Sequence, residues 1–111
     1  MSRMAMSQAA ASLVRVLIAR GGSERNRILL TDVHSVDWQS LTFTGERHQI
    51  ALKITGRDSS QVVDRMCAGL EDAEFSIPGL IVADITRIGN STRAPDGSTE
   101  VMIEALTVSE N

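Results

Sequence analysis

Three polar residues, His48, Asp84 and Glu104, have side chains that could transfer protons. Asp84 and Glu104 interrupt strands that are otherwise apolar, where a carboxylate is costly unless it is paired or protonated, and His48 falls on the apolar face of a predicted hairpin. Histidine changes its charge near neutral pH, so an imidazole beside carboxylates is suited to general acid–base chemistry. If their strands are neighbours, the three side chains converge on a polar pocket. The alternatives are a structural network, carboxylates that face solvent at strand ends, and a half-covered histidine at a sheet rim.

The element that must position His48 is a β-hairpin, which the alternating pattern over residues 38–55 predicts. Gly45, the first central residue of a two-residue loop Gly45-Glu46, is typical of a type II′ turn. The resulting pairs are Thr44 with Arg47, Phe43 with His48, Leu41 with Ile50, and Trp38 with Lys53. One face then carries Leu41, Phe43, His48, Ile50, Leu52 and Ile54, and the other carries Ser40, Thr42, Thr44, Arg47, Gln49 and Lys53.

Trp38 is the only tryptophan of the chain, and the predicted hairpin places it on the polar face. A tryptophan beside small and cationic residues is typical of an anchor in a protein interface. Two other interpretations are a cation–π pair with Lys53 and a bulge after Asp37 that turns the ring into the core.

The remaining elements follow from hydrophobic spacing and capping residues. Residues 8–20 have apolar residues at helical spacing, with Ser7 as a possible cap, although the alternation of Val14, Val16 and Ile18 also fits a strand. Residues 27–36 read as a first strand. A second helix begins after Asp58, whose capping box would be completed by Gln61, and ends near Ala73. Strands are predicted over residues 80–88 and 99–108, joined by a polar loop.

The predicted order is α-β-β-β-α-β-β, which indicates an α+β fold. We expect a two-layer α/β sandwich with a mostly antiparallel five-stranded sheet and both helices on one face. A chain of 111 residues without repeats or a composition break forms one domain, residues 1–111, with flexible ends at residues 1–7 and 109–111.

The composition limits the classes of function. A formal net charge of −3 argues against nucleic-acid binding, for which only Arg47, Lys53 and Arg93 would be available. One cysteine, Cys67, fits a reducing compartment, and no apolar run is long enough to span a membrane or resembles a secretory signal. His34 and His48 are the only histidines and have no metal-ligand spacing, so neither a metal nor a cofactor is expected.

Together these observations predict a cytoplasmic, non-enzymatic interaction domain. It would form a homodimer through an exposed sheet face that carries Trp38, Arg47, Gln49 and Lys53. The alternative is a small enzyme or a protein that binds a small-molecule ligand in a polar pocket around His48, Asp84 and Glu104.

Overall fold

A computed structural model describes residues 5–22 and 25–109 of the chain. Two α-helices and four β-strands follow one another in the order α-β-β-α-β-β, with a short 3₁₀ helix before the first strand and another after the second helix. Their bounds are α1 Gln8–Arg20, β1 Ile28–Gln39, β2 Thr44–Ile54, α2 Ser59–Cys67, β3 Leu80–Arg93 and β4 Thr99–Ser109, with the 3₁₀ helices at Arg25–Arg27 and Leu70–Asp72.

The four strands form one antiparallel sheet in the order β1-β2-β4-β3. The α+β class and the antiparallel sheet are therefore confirmed, whereas the prediction of five strands is wrong for the described residues. The two strands predicted on either side of Asp37 are a single strand, β1. Because β1 is at the edge of the sheet and Asp37 is exposed, the carboxylate remains hydrated and the strand can continue through it.

The hairpin reverses four residues earlier than predicted, over residues 40–43. The Ser40 N–H donates to the Phe43 carbonyl at 2.9 Å, and the Phe43 N–H donates to the Ser40 hydroxyl at 3.1 Å. The type II′ turn at Gly45-Glu46 is wrong, because Gly45 lies within β2 and lacks a positive φ. A Cβ at Gly45 would overlap the backbone carbonyl of Thr107, so this glycine permits close approach to β4.

The pairing partners change with the turn, but the faces of β2 do not. Trp38 pairs with Gly45 in place of Lys53, and His48 pairs with Ser35 in place of Phe43. This displacement is an even number of residues, and side chains alternate with a period of two, so each β2 residue keeps its predicted side. The predicted burial of Leu41 and Phe43 is wrong, since both lie in the exposed turn.

The helix prediction for residues 8–20 is confirmed, and the strand alternative is excluded. Ser7 caps α1, with its hydroxyl accepting from the Ala10 N–H at 3.1 Å. The ends predicted to be flexible were residues 1–7 and 109–111. Of these, residues 1–4 and 110–111 lie outside the described residues. Within them, Ser7 is the helix cap and Ser109 is the last residue of β4.

The second helix is shorter than predicted. It ends at Cys67, because Ala68 is extended and Gly69 adopts a left-handed φ of +62°. The Asp58 side chain does not cap it, and the predicted capping box is wrong. The Asp58 carboxylate instead forms an ion pair with Arg27. A hydrogen bond between two charged groups is stronger than one from the neutral backbone N–H groups of the first helical turn, so the ion pair is preferred over the cap.

The core consists of aliphatic residues contributed by both helices and all four strands. Alternate residues of β2 and β4 are buried in it, including Ile50, Leu52 and Ile103, none of which is exposed. The remaining members of this core cluster are Leu13, Val14, Leu17, Ile28, Ile54, Val62, Val63, Met66, Leu70, Ile85, Val101 and Ala105. The alternating pattern read from the sequence thus identifies the sheet side that meets the helices.

Two leucines test the corrected hairpin directly. Leu52→Ala leaves a cavity in the core and is expected to lower the free energy of unfolding by about 2–5 kcal/mol in urea titrations. Leu41→Ala, the same substitution in the exposed turn, is expected to change it by no more than about 0.5 kcal/mol. Comparable losses in both variants would contradict the turn at residues 40–43.

Candidate functional site

The three residues predicted to share a pocket lie on different sides of the sheet. His48 points into the core side and has no exposed surface. His48 pairs with Ala105 of β4, and Glu104 is the residue before Ala105, so the Glu104 side chain points to the opposite side of the sheet. There its carboxylate accepts a hydrogen bond from Gln49 Nε2 at 3.4 Å. Asp84 pairs with Leu106 on the exposed edge strand β3, again opposite His48. The structure therefore does not bring Asp84 and Glu104 to His48.

Both ring nitrogens of His48 instead have hydroxyl partners. Ser35 Oγ lies 2.7 Å from Nδ1, and Thr107 Oγ1 lies 2.8 Å from Nε2. The carboxylate of Glu46 is 3.8 Å from Nδ1 and accepts a hydrogen bond of 2.5 Å from the Ser7 hydroxyl. This polar cluster of Ser7, Ser35, Glu46, His48 and Thr107 connects the cap of α1 to three strands.

The strands explain why these groups meet. Ser35 and Ala105 are the residues directly opposite His48 on β1 and β4, and Thr107 lies two residues along β4 on the same side. Glu46 precedes His48 by two residues on β2 and shares its side. Sequence reasoning missed Ser35 because the misplaced turn gave the wrong β1–β2 register, and it missed Thr107 because the pairing of β2 with β4 is not specified by any local pattern.

Burial determines the charge state of His48. Removal of the imidazole from water lowers the pKa of His48 below its usual value, and the nearby Glu46 carboxylate raises it by a smaller amount. The neutral ring is therefore favoured in the folded protein, and two hydroxyl groups can satisfy it without a formal counter-charge.

A cleft of about 370 Å³ lies against this cluster. Its described lining consists of residues 5–7 before α1 together with Val33, His34, Ser35, Asp37 and Glu46. Ser35 is half-buried and reaches the cleft, whereas His48 lies behind it without surface exposure. The cleft thus gives access to a hydroxyl that is bonded to a shielded imidazole.

The four residues predicted to form an interface share the other side of the sheet, called the second face below. It comprises the strand residues that alternate with the core residues, and Trp38, Arg47, Gln49 and Lys53 all belong to it by register. Arg47 lies 3.8 Å from Glu104, and Lys53 lies 3.6 Å from Asp96 in the β3–β4 loop.

Trp38 is half-buried on the second face, opposite a glycine. It pairs with Gly45, whose other partner in the same row is Val108 of β4. The β1–β2 register is regular from Val33 to Gln39, so the bulge that would turn the ring into the core is absent. The pair with Lys53 is also absent, since Lys53 pairs with Leu29.

Large apolar side chains are exposed on the second face, a feature that the sequence analysis did not identify. Leu29, Val36, Ile81, Ile88 and Met102 are each 36–47% exposed there by register. The sequence contained one indication of this apolar surface. The last two strands have apolar residues on both sides, which is typical of strands whose two faces are covered.

Neither helix within residues 5–22 and 25–109 is long and apolar enough to cross a membrane. No known protein family matches the sequence, and a comparison with curated proteins gives no match.

The lowered pKa of His48 predicts a specific dependence of stability on pH. Since the unfolded histidine binds a proton more tightly than the folded one, stability is full above the unfolded pKa of 6.5 and falls as the pH decreases below it. The slope for one proton is at most about 1.4 kcal/mol per pH unit. Urea midpoints measured from about pH 7.5 to about pH 5.5 are expected to decrease in the wild type.

His48→Gln is expected to remove most of this dependence, and His34→Gln, which removes the exposed histidine of β1, is expected to retain it. Asp58 and Asp96 do not interfere in this pH range, because the Arg27 hydrogen bond and the Ser98 hydroxyl, respectively, lower their pKa values. An unchanged pH dependence in His48→Gln would contradict the assignment.

Proposed function

We propose that this chain is a cytoplasmic interaction domain that forms a homodimer through its second face, a role that needs no catalysis. The observation that carries the proposal is the group of exposed apolar side chains there. Of the eight large hydrophobic residues that are exposed within residues 5–22 and 25–109, Leu29, Val36, Ile81, Ile88 and Met102 lie on this face by register. Ile88 and Met102 are pairing partners there, and neighbouring apolar side chains on an uncovered sheet face are typical of interaction sites.

The arrangement of the helices supports this choice of surface. All sheet residues of the core cluster belong to the opposite side, and α1, α2 and Leu70 of the second 3₁₀ helix contribute the remainder of that cluster. We infer a two-layer arrangement with both helices on the core side, so that a partner is needed to cover the second face.

The charges of the second face favour a second copy of this chain as the partner. Arg47 and Lys53 lie on it together with Asp84, Glu100 and Glu104. Asp84 has no ion pair within the part of the chain that the structure describes. A surface that carries both signs can be complementary to itself when two copies meet across a two-fold axis.

The size of the second face is sufficient for a dimer. The two central strands have 11 residues each. At about 3.3 Å per residue and 4.8 Å between strands, a four-stranded face has a footprint of roughly 650 Å² per copy. Two copies would bury about 1,300 Å², within the range of specific interfaces. Trp38 would provide a rigid aromatic anchor at one end of this area.

The alternative function, a ligand-binding or enzymatic pocket formed by His48, Asp84 and Glu104, has no comparable support. These side chains point to opposite sides of one sheet, and a pocket that uses all three would have to pass through the strands.

The homodimer is testable with two methionine variants. Light scattering at micromolar concentration is expected to give about 24 kDa for the wild type, twice the chain mass of 12.0 kDa. Met102→Glu, which places a charge in the second face, is expected to give the monomer mass, because burial of an unpaired carboxylate opposes association. Met6→Glu is the matched control, since Met6 is exposed outside this face, and it is expected to remain dimeric.

Trp38 offers an independent measurement, because it is the only tryptophan. Its emission is expected to shift to shorter wavelength as the wild-type concentration increases, and to show no such shift in Met102→Glu. A monomeric wild type whose mass is unchanged by Trp38→Ala would refute the proposal.

A further inference from the structure

Ser35 has the arrangement of an activated nucleophile. Its hydroxyl lies 2.7 Å from Nδ1 of His48 and reaches the cleft of about 370 Å³ described above. We propose that Ser35 is a nucleophile with His48 as its general base, and that the cleft accepts small carboxylic esters. This site is separate from the proposed dimer surface, because His48 and Arg47 point to opposite sides of β2.

The hydrogen bonds around the ring assign the tautomer that this role requires. Thr107 Oγ1 donates to the Glu46 carbonyl at 3.5 Å, so it accepts from Nε2–H of His48 at 2.8 Å. Nδ1 is then unprotonated and accepts the hydrogen of the Ser35 hydroxyl. Thr107 is a positioning residue in this arrangement, since it holds the ring with its free nitrogen toward Ser35.

The surroundings of His48 suit a base that must accept a proton temporarily. Burial lowers the pKa of His48, which keeps the ring neutral and able to accept a proton at neutral pH. When Ser35 releases its proton, the imidazolium that forms is 3.8 Å from the Glu46 carboxylate. That charge stabilises the protonated ring, which itself has no exposed surface.

The chemical step is an acyl transfer. Ser35 Oγ attacks the ester carbonyl while its proton moves to Nδ1 of His48, and a bond forms between Oγ and the carbonyl carbon. The bond from this carbon to the alkoxy oxygen then breaks, and the alcohol departs with the proton held by His48. Attack by water on the acyl-serine, with His48 again as the base, releases the acid and restores the hydroxyl.

The lining of the cleft limits the substrate. Asp37 and Glu46 contribute carboxylates, whereas His34, the one basic residue of the described lining, has its side chain on the opposite side of β1 by register. Repulsion by the carboxylates disfavours anionic esters, and the volume restricts the acyl and alcohol groups to small ones. A small uncharged ester is therefore the substrate class that fits.

A fluorophosphonate ester, which has an uncharged phosphorus centre and releases fluoride, tests the nucleophile directly. Incubation of the full chain followed by peptide mass spectrometry is expected to find the phosphonyl adduct on Ser35. Ser35→Ala is expected to lose the adduct, while Ser40→Ala, which removes an exposed serine of the β1–β2 turn, is expected to retain it. A structural serine that only bonds to His48 would give no adduct.

The role of His48 is tested by the rate of labelling. His48→Gln is expected to label about 100-fold more slowly, the effect of losing a general base, with circular dichroism to verify its fold. Should this variant not fold, labelling of the wild type from about pH 8 to about pH 5 replaces it, and the rate is expected to fall on acidification as His48 becomes protonated. His34→Gln is expected to preserve that profile.

Three results would overturn the proposal. The first is a folded wild type without an adduct on Ser35. The second is a labelling rate that is independent of both the His48 substitution and pH. Release of p-nitrophenolate from p-nitrophenyl acetate by the wild type, and its loss in Ser35→Ala, is expected to accompany labelling, and equal release by both proteins would also overturn it.

Discussion

Strand β2 is held in one register between β1 and β4, and the rest of the structure depends on that register. Ile50 pairs with Val33 on one side and with Ile103 on the other, so this row of side chains points toward the helices together. Because side chains alternate with a period of two, a slip by one residue would expose the core and bury Arg47 and Lys53. The burial of His48 and the exposure of Arg47 are consequences of the same pairing.

The cluster around His48 shows how the core includes a polar group at one end. Two hydroxyl groups satisfy the ring, and the neutral state preferred there avoids the cost of a buried charge. Ser7 accepts from the first turn of α1 and donates to Glu46, so the same contacts attach the helix to the sheet. Displacement of either hydroxyl partner would leave a buried ring nitrogen of His48 without a hydrogen bond, which is energetically costly.

The two proposed roles use opposite sides of β2. The dimer requires Arg47, Gln49 and Lys53, whereas the chemistry requires His48, and alternate residues of a strand separate these groups. Asp84 and Glu104 belong with the first set. Their charges, which are difficult to explain in a pocket with His48, are readily explained on a surface that faces solvent or a partner.

The sequence by itself determined the buried side of β2 and favoured the helix over residues 8–20, since each depends on a period that neighbouring residues repeat. The sequence analysis misassigned the turn. A glycine is needed at position 45 because the backbone of Thr107 in β4 lies too close for a side chain, and this contact joins residues that are far apart in the chain. The sequence analysis also placed Asp84 and Glu104 with His48. Their strands are neighbours, but period-two patterning does not specify the register, which puts both carboxylates on the opposite side of the sheet. Only the tertiary structure decided that Ser35, Glu46 and Thr107 surround His48, because cross-strand pairing brings together residues that no local pattern relates.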